Sequence, residues 1–291
     1  MKILFIINPI AGNGTALRAV PEIEKQCRNL HLDFDIQLTR YPGHGSEIAK
    51  EMSNRYSIIT AVGGDGTVLE VANGLIGSKV PLGIIPLGSG NDLSRGLGIP
   101  STIDGALSNL MKSRPQSIDI GLIGGNCYFL NVASIGFDAE IVKDLEGIRR
   151  WIPGKAAYYF SAFHKLLTYR PKTVKLKMDQ QERVEKILLL AICNGSYYGG
   201  GMKVNPKGSF TDGYLDLILI RPLSKIKFIL LFQKFVKGEH LALPYVEHLK
   251  CKELEIKSDE ELVINGDGEI IASTPAQLSI RHLAIEVIFP A

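Results

Sequence analysis

The residues best placed to do chemistry lie between positions 57 and 70, SIITAVGGDGTVLE. Gly63, Gly64 and Gly66 leave backbone N–H groups open to a ligand, because no Cβ stands in the way. Beyond them, Val68, Leu69, Ala72 and Leu75 recur at helical spacing. The start of such a helix offers free N–H groups with partial positive charge, which suits a phosphate. Asp65 sits inside the same turn, where its carboxylate repels an anion unless a cation lies between them. A tight strand-to-helix turn with Asp65 or Thr67 as the cap accounts for the glycines alone but has no need of the carboxylate.

Other elements must bring partners to this turn. An apolar strand at 2–7 ends in the polar glycine loop Asn8-Pro9-Ile10-Ala11-Gly12-Asn13-Gly14, and a helix is expected from about 15 to 30. A strand at 33–38, a helix at 45–54, the strand at 57–62 and a strand at 82–85 follow. The last runs into Pro86-Leu87-Gly88-Ser89-Gly90-Asn91-Asp92, and a helix at 103–112 closes the series. Strands alternating with helices predict a parallel sheet covered on both faces. All three glycine loops follow strands, so they belong at the carboxyl edge, where open α/β sheets bind ligands.

Near residue 118 the texture changes. Runs at 118–123, 127–134, 173–178, 184–193, 214–220, 254–257, 261–265, 278–280 and 284–289 read as strands with turns between them, predicting an antiparallel β domain. The division is therefore 1–117 and 118–291, with the last residues able to return to the first domain. Two helical stretches interrupt the strands. One, at 155–169, carries Tyr158, Tyr159, Phe160, Phe163, Leu166 and Leu167. The other, at 224–237, mixes Ile226, Phe228, Ile229, Leu230, Phe232 and Phe235 with Lys225, Lys227, Lys234 and Lys237. Such stripes serve as core, as the lining of an apolar substrate site, or as a face on anionic lipid.

With 291 residues and 45% apolar content the chain can bury a core in each domain. A net charge of +3 is too small to argue for nucleic acid. Cys27, Cys127, Cys193 and Cys251 are widely spaced, with no CxxC pair, and are expected as reduced thiols in a cytosol. No apolar run approaches the ~20 residues of a spanning helix, and no signal-peptide pattern opens the chain.

NPIAGNG at 8–14, GGDGTVLE at 63–70, PLGSGND at 86–92, TDGYLD at 211–216 and NGDGE at 265–269 together resemble the diacylglycerol kinase catalytic-domain family, which includes bacterial soluble lipid kinases and sphingosine and ceramide kinases. GGDGT alone also occurs in NAD kinases and phosphofructokinases; the GSGND loop and the late DGE separate the lipid kinases from them. The resemblance implies a Rossmann-like α/β nucleotide-binding domain and a C-terminal antiparallel β-sandwich that holds lipid, with the active site in the interdomain cleft. It implies ATP contacts from Asn8, Pro9, Ile10, Ala11, Gly12, Thr39, Gly63, Gly64, Asp65, Gly66, Thr67, Val68, Leu69, Glu70 and Ser89. It assigns a structural Mg²⁺ to the Ser209 carbonyl, the Asp212 side chain and the Tyr214 carbonyl, and a second Mg²⁺ to the nucleotide. Glu269 matches the general base, with Asp65 as its competitor. From the residues alone, TDGYLD reads equally as a turn into a strand, and residues 266–269 as a hairpin loop.

The expected function is ATP- and Mg²⁺-dependent phosphorylation of a lipid hydroxyl, first of all that of diacylglycerol, by a cytoplasmic enzyme that docks on the inner membrane surface. Kinases of phosphatidylglycerol, sphingoid or isoprenoid alcohols, an NAD-kinase-like metabolite enzyme, and an ATP-binding regulator without turnover are the alternatives. An exposed strand edge is compatible with a homodimer.

Overall fold

The computed structural model describes residues 1–148 and 155–290; the side chains of Glu146, Lys155, Ala156, Tyr158 and Tyr159 lie outside the described residues, and so does the role expected of the two tyrosines. Two compact units are formed, one from residues 1–120, 199–201 and 282–291, the other from residues 121–198 and 202–281.

The first unit runs through β1 (Lys2–Ile7), α1 (Ala11–Arg18), α2 (Val20–Asn29), β2 (Asp33–Leu38), α3 (His44–Met52), β3 (Ile58–Gly63), α4 (Asp65–Leu75), β4 (Leu82–Pro86), α5 (Asp92–Gly96), α6 (Ile103–Lys112) and into β5 (Pro115–Ile123). Its strands pair in parallel in the order β2-β1-β3-β4. Every residue of β3 and β4 is buried, as continuous apolar strands covered on both faces must be, whereas the edge strand β2 is only half-buried. On one face Phe5, Ile7 and Ile85 pack with Ile23 and Cys27 of α2 and Leu107 and Leu110 of α6. Each large side chain so buried contributes roughly 1.5–3 kcal/mol.

The helix expected from 15 to 30 is two helices. Gly12, Asn13 and Gly14 take left-handed φ of 58°, 56° and 81°, so regular geometry begins at Thr15. Pro21 then opens α2, because a ring that fixes φ and lacks an N–H suits a first turn.

The second unit holds the end of β5, then β6 (Cys127–Phe129), β7 (Val132–Gly136), α7 (Phe137–Ile148), α8 (Lys155–Thr168), β8 (Lys172–Met178), β9 (Gln181–Ile187), β10 (Leu189–Cys193), β11 (Leu215–Ile220), α9 (Lys225–Lys237), β12 (Val246–Cys251), β13 (Glu253–Lys257), β14 (Val263–Gly266), β15 (Glu269–Ser273) and the start of β16 (Ala276–Ile288). One antiparallel sheet has the order β12-β11-β10-β7-β14-β15. The other joins β9, β8, β13 and the first residues of β16. Leu176, Leu254, Ile256 and Leu278 of the latter pack against Ile135, Ile192, Leu217 and Ile264 of the former. The architecture is thus an α/β unit with a parallel sheet followed by an antiparallel β-sandwich, as expected.

Several strands differ from expectation for identifiable reasons. The run 184–193 breaks at Leu188, because β9 pairs with β8 while β10 pairs with β11 and β7 in the other sheet. The run 127–134 breaks at Leu130 and Asn131, whose N–H groups turn to the Asp267 carboxylate. Runs 278–280 and 284–289 belong to a single strand, β16, whose final residues lie in the first unit, where Val287 pairs in parallel with Leu82. The helix α7 and the strands β12 and β15 were not expected.

Candidate active site

In the first unit the three glycine loops leave the same edge of the sheet and touch. Asn8 N donates to Val62 O at 3.2 Å and Leu87 N to Gly63 O at 2.8 Å, carrying the ladder past the strand ends. A Cβ on Gly12 would stand 2.3 Å from Leu87 O, and one on Gly88 2.1 Å from Gly64 Cα. These contacts are backbone on backbone, so nothing flexible can yield. Gly88→Ala is therefore expected to cost about 1–3 kcal/mol by overpacking, read as a lowered melting temperature. A variant that melts as the parent does would show that the loops can separate freely.

Asn8 Oδ1 accepts from Ile10 N at 3.2 Å, bending Pro9 to Ala11 over the end of β1 and leaving Ile10 79% exposed. Thr39, buried, donates its N–H to Ile7 O at 2.9 Å and so sits beside the first loop. Gly64 is the N-cap of α4 and the helix has no side-chain cap, so neither Asp65 nor Thr67 closes it. Thr67 instead packs on Gly63, where a Cβ would lie 2.5 Å from its Oγ1, and Val68 is core. Gly66 and Ser89 are exposed, and Leu69 is half-buried. Glu70 turns elsewhere: its two oxygens accept from Gly43 N at 2.8 Å and Gly45 N at 3.0 Å, pinning the loop that opens α3.

Asp65 Oδ1 accepts from Leu93 N at 3.1 Å, tying the GGDGT turn to the loop after β4. Its Oδ2 lies 2.8 Å from where a Gly90 Cβ would stand, and Asp92 Oδ2 3.5 Å from the same point, so two carboxylates flank this glycine. Asn91, at φ 54°, braces the loop by accepting from Gly88 N at 2.9 Å and donating to Gly88 O at 3.0 Å. Asp92 accepts from Arg95 Nη1 at 2.7 Å and from Gly200 N at 2.8 Å. Burial raises its pKa; the Gly200 N–H opposes this, and Asp65 adds to it. Gly199, Gly200 and Gly201 have φ of 62°, 83° and 113°, a turn only glycine adopts easily. Three consecutive glycines at 199–201 are a signal that the sequence carries for such a close approach, though not for its partner, Asp92.

In the second unit Glu269 opens β15 opposite Gly266, across a two-residue turn of Asp267 (φ 49°) and Gly268 (φ 98°). It is exposed and, among the described residues, makes no side-chain hydrogen bond. Asp267 holds this hairpin in place. It accepts from Leu130 N at 2.6 Å and from Asn131 and Val132 N at 3.0 Å each.

Asp212 Oδ1 accepts from Tyr214 N at 3.1 Å, and its Oδ2 accepts from Lys250 Nζ at 2.6 Å. Lys250 Nζ also lies 3.5 Å from Asp216 Oδ1. Asp216 is 1% exposed and is bonded by His248 Nε2 at 2.6 Å and Asn205 Nδ2 at 2.8 Å. Burial pushes its carboxyl up, but these donors and the Lys250 charge hold it below the usual range. The Asp212 hydrogen bond raises the Lys250 pKa. Ser209, half-buried, faces Thr211 through its hydroxyl. The three residues expected to hold a structural Mg²⁺ are thus close in sequence and space, with a lysine ammonium on the carboxylate.

The diacylglycerol kinase catalytic domain matches residues 2–123, and the YegS C-terminal NAD kinase beta sandwich-like domain matches residues 131–289. The chain belongs to the diacylglycerol kinase family of lipid kinases. Its relatives include the diacylglycerol kinase of Bacillus subtilis, 29% identical over 98% of this chain and 95% of that protein. A Chromohalobacter salexigens protein named "Probable lipid kinase YegS-like" is 32% identical over 89% of this chain and 84% of its own length. The crystal structure of a diacylglycerol kinase from Bacillus anthracis superposes with a TM-score of 0.76 at 26% identity, covering 99% of this chain and 97% of that one.

In this lipid kinase the sandwich unit also carries a narrow apolar cavity. Phe228, Phe232 and Phe235 of α9 line it together with Phe137, Leu189 and Ile220. Asp138 is the carboxylate among them. Oδ1 accepts from Ala139 N at 2.8 Å, but Oδ2 is inaccessible and has no hydrogen-bond partner. Burial pushes this carboxyl up to about 6, against the opposing pull of the Ser134 hydroxyl and Ala139 N–H. Sequence reasoning missed Asp138 because one aspartate after a strand carries no spacing signal. A wider groove of about 320 Å³, lined by Lys175, Lys177, Glu182, Arg183, Glu255 and Lys257, faces solvent with both charge signs and suits no apolar substrate.

Proposed function

We propose that this lipid kinase transfers the γ-phosphate of ATP to the free hydroxyl of diacylglycerol, giving phosphatidic acid. The observation that carries the reading is the mutual contact of the three glycine loops around an uncapped α4 N-terminus, beside an Asp65 Oδ2 that points over Gly90. Phosphoryl transfer needs placement and charge neutralisation more than covalent help. Loop N–H groups at 12–13 and 64–67 hold the triphosphate, Asn8, Thr39 and Ser89 orient the nucleotide, and Val68 and Leu69 back the adenosine side. Glu70 acts indirectly by setting the 43–45 loop. Asp65 Oδ2 is a hard oxygen that fits Mg²⁺ carried by the nucleotide, which supplies the neutralising charge.

Glu269 takes the proton of the attacking hydroxyl, and its lack of internal partners leaves its lone pairs available. The lipid enters the cavity of α9 and α7, whose mostly apolar lining also carries Asp138, Tyr198 and His240. The enzyme meets its substrate at a membrane surface. Ile226, Ile229 and Leu230 on α9 are 71%, 57% and 74% exposed, and Phe160, Phe163 and Leu167 on α8 are exposed as well. Lys225, Lys227, Lys234 and Lys237 share α9 with no acidic residue, which favours anionic lipid. No helix among the described residues is long and apolar enough to cross a membrane.

The names of the relatives support diacylglycerol as acceptor. The test is transfer of labelled γ-phosphate, with Mg²⁺, into vesicles of extracted membrane lipid followed by chromatography. Label in phosphatidic acid is expected. Label in another phospholipid or alcohol phosphate would move the substrate within the lipid-kinase class, and ATP-dependent thermal stabilisation with no labelled lipid would favour a regulator.

A further inference from the structure

The resemblance to lipid kinases assigns a structural Mg²⁺ to Ser209, Asp212 and Tyr214, and the side chains around Asp212 do not fit one. Asp212 spends one carboxylate oxygen on the Tyr214 N–H at 3.1 Å and the other on the Lys250 ammonium at 2.6 Å. Mg²⁺ takes hard oxygen ligands and keeps several waters; since Ser209 and Tyr214 would offer only neutral carbonyls, Asp212 is the one charged ligand of the expected set. Here the two carboxylates, Asp212 and Asp216, already share Lys250, whose Nζ lies 2.6 Å from one and 3.5 Å from the other. Asp216 is further occupied by His248 and Asn205. No third His, Cys, Asp or Glu joins them in a metal-holding group among the described residues.

Lys250 is not an adventitious visitor. It stands on β12 directly across from Asp216 of β11, so strand register places its stem beside the loop that carries Asp212. The Tyr214 ring flanks the ammonium, with Nζ 5.9 Å from the ring centroid. Carboxylates on two sides and an aromatic face nearby hold the tethered ammonium against the carboxylate that an ion would need.

We propose that Lys250 replaces the structural divalent cation, so that this sandwich unit closes around Asp212 without metal and the only divalent ion the enzyme needs arrives with its nucleotide. The inference concerns the nucleotide-free protein and does not depend on which lipid is phosphorylated.

The experiment counts Mn²⁺ bound to the nucleotide-free full-length protein, by electron paramagnetic resonance of free Mn²⁺ at millimolar concentration. The quantity read is the number of sites lost when Asp212→Asn is introduced into each background. The parent is expected to lose none, because it has none at Asp212. Lys250→Ala is expected to lose one, because removing the ammonium opens the seat. Any other pair of numbers overturns the proposal: a site in the parent means that metal and lysine do not compete, and no site in Lys250→Ala means that the seat never held a cation. Lys250→Gln, which keeps most of the stem, serves if the alanine variant does not fold. Melting supplies a second reading, with added Mg²⁺ leaving the parent's midpoint unmoved and raising that of Lys250→Ala.

Discussion

Glu269→Gln is expected to lower kcat by roughly 10²–10⁴-fold, the range that general-base catalysis contributes, while the KM for ATP and the melting temperature stay near those of the parent. Glutamine keeps the shape and removes the basic oxygen. Because Glu269 is exposed and engages no internal donor, its loss leaves no buried orphan to destabilise the fold. Asp65→Asn should behave differently. Its Oδ1 accepts from Leu93 N, and its Oδ2 is the oxygen offered to the nucleotide's ion, so stability and the KM for ATP should change along with kcat. Steady-state kinetics of both variants decide the matter. If Glu269→Gln turns over at the parental rate, Glu269 is not the base.

Asp138→Asn is expected to stabilise the protein above pH 6 and to do nothing below about pH 4. The free carboxyl titrates at 3.8, while burial sets the folded-state value at about 6. Below both values the group is neutral in either state, and no difference arises. As pH rises from about 4 to about 6 the unfolded chain ionises first, so stability falls, by about 3 kcal/mol in all. The amide avoids this cost but forfeits the favourable charge at the start of α7, about 0.3–1 kcal/mol, so a net gain remains. Denaturant titrations at pH 4 and pH 8 measure it. The KM for lipid should rise in the same variant if the carboxyl meets the substrate. A destabilised Asp138→Asn at pH 8 would mean that Oδ2 is satisfied in solution.

The first unit was legible because its signals are local. Glycines placed just after buried apolar strands announce loops at one sheet edge, and the structure brings 8–14, 63–67 and 86–92 into contact there. What stayed hidden depends on residues distant in sequence. Asp92 finds Gly200 across 108 positions, and Asp267 finds Leu130 across 137. Lys250 reaches Asp212 only because β12 pairs with β11, and β12 itself was not recognised. Glu70 is a related case: a residue inside the richest motif has both oxygens bonded to the neighbouring loop, a partnership 25 to 27 positions away that the motif does not announce. Short strands were misjudged where one apolar run serves two sheets, as at Leu188, since hydrophobicity reports burial and not partner.

β16 carries one further consequence. Its final residues complete the first unit: Val287 pairs with Leu82, Asn109 Nδ2 donates to Ile288 O at 3.1 Å and Gln116 Nε2 to Phe289 O at 3.1 Å. On the ribosome those residues emerge after the whole sandwich. The first unit therefore spends nearly all of its synthesis one strand short, with the β4 edge uncovered, and cannot complete its sheet before the sandwich has emerged.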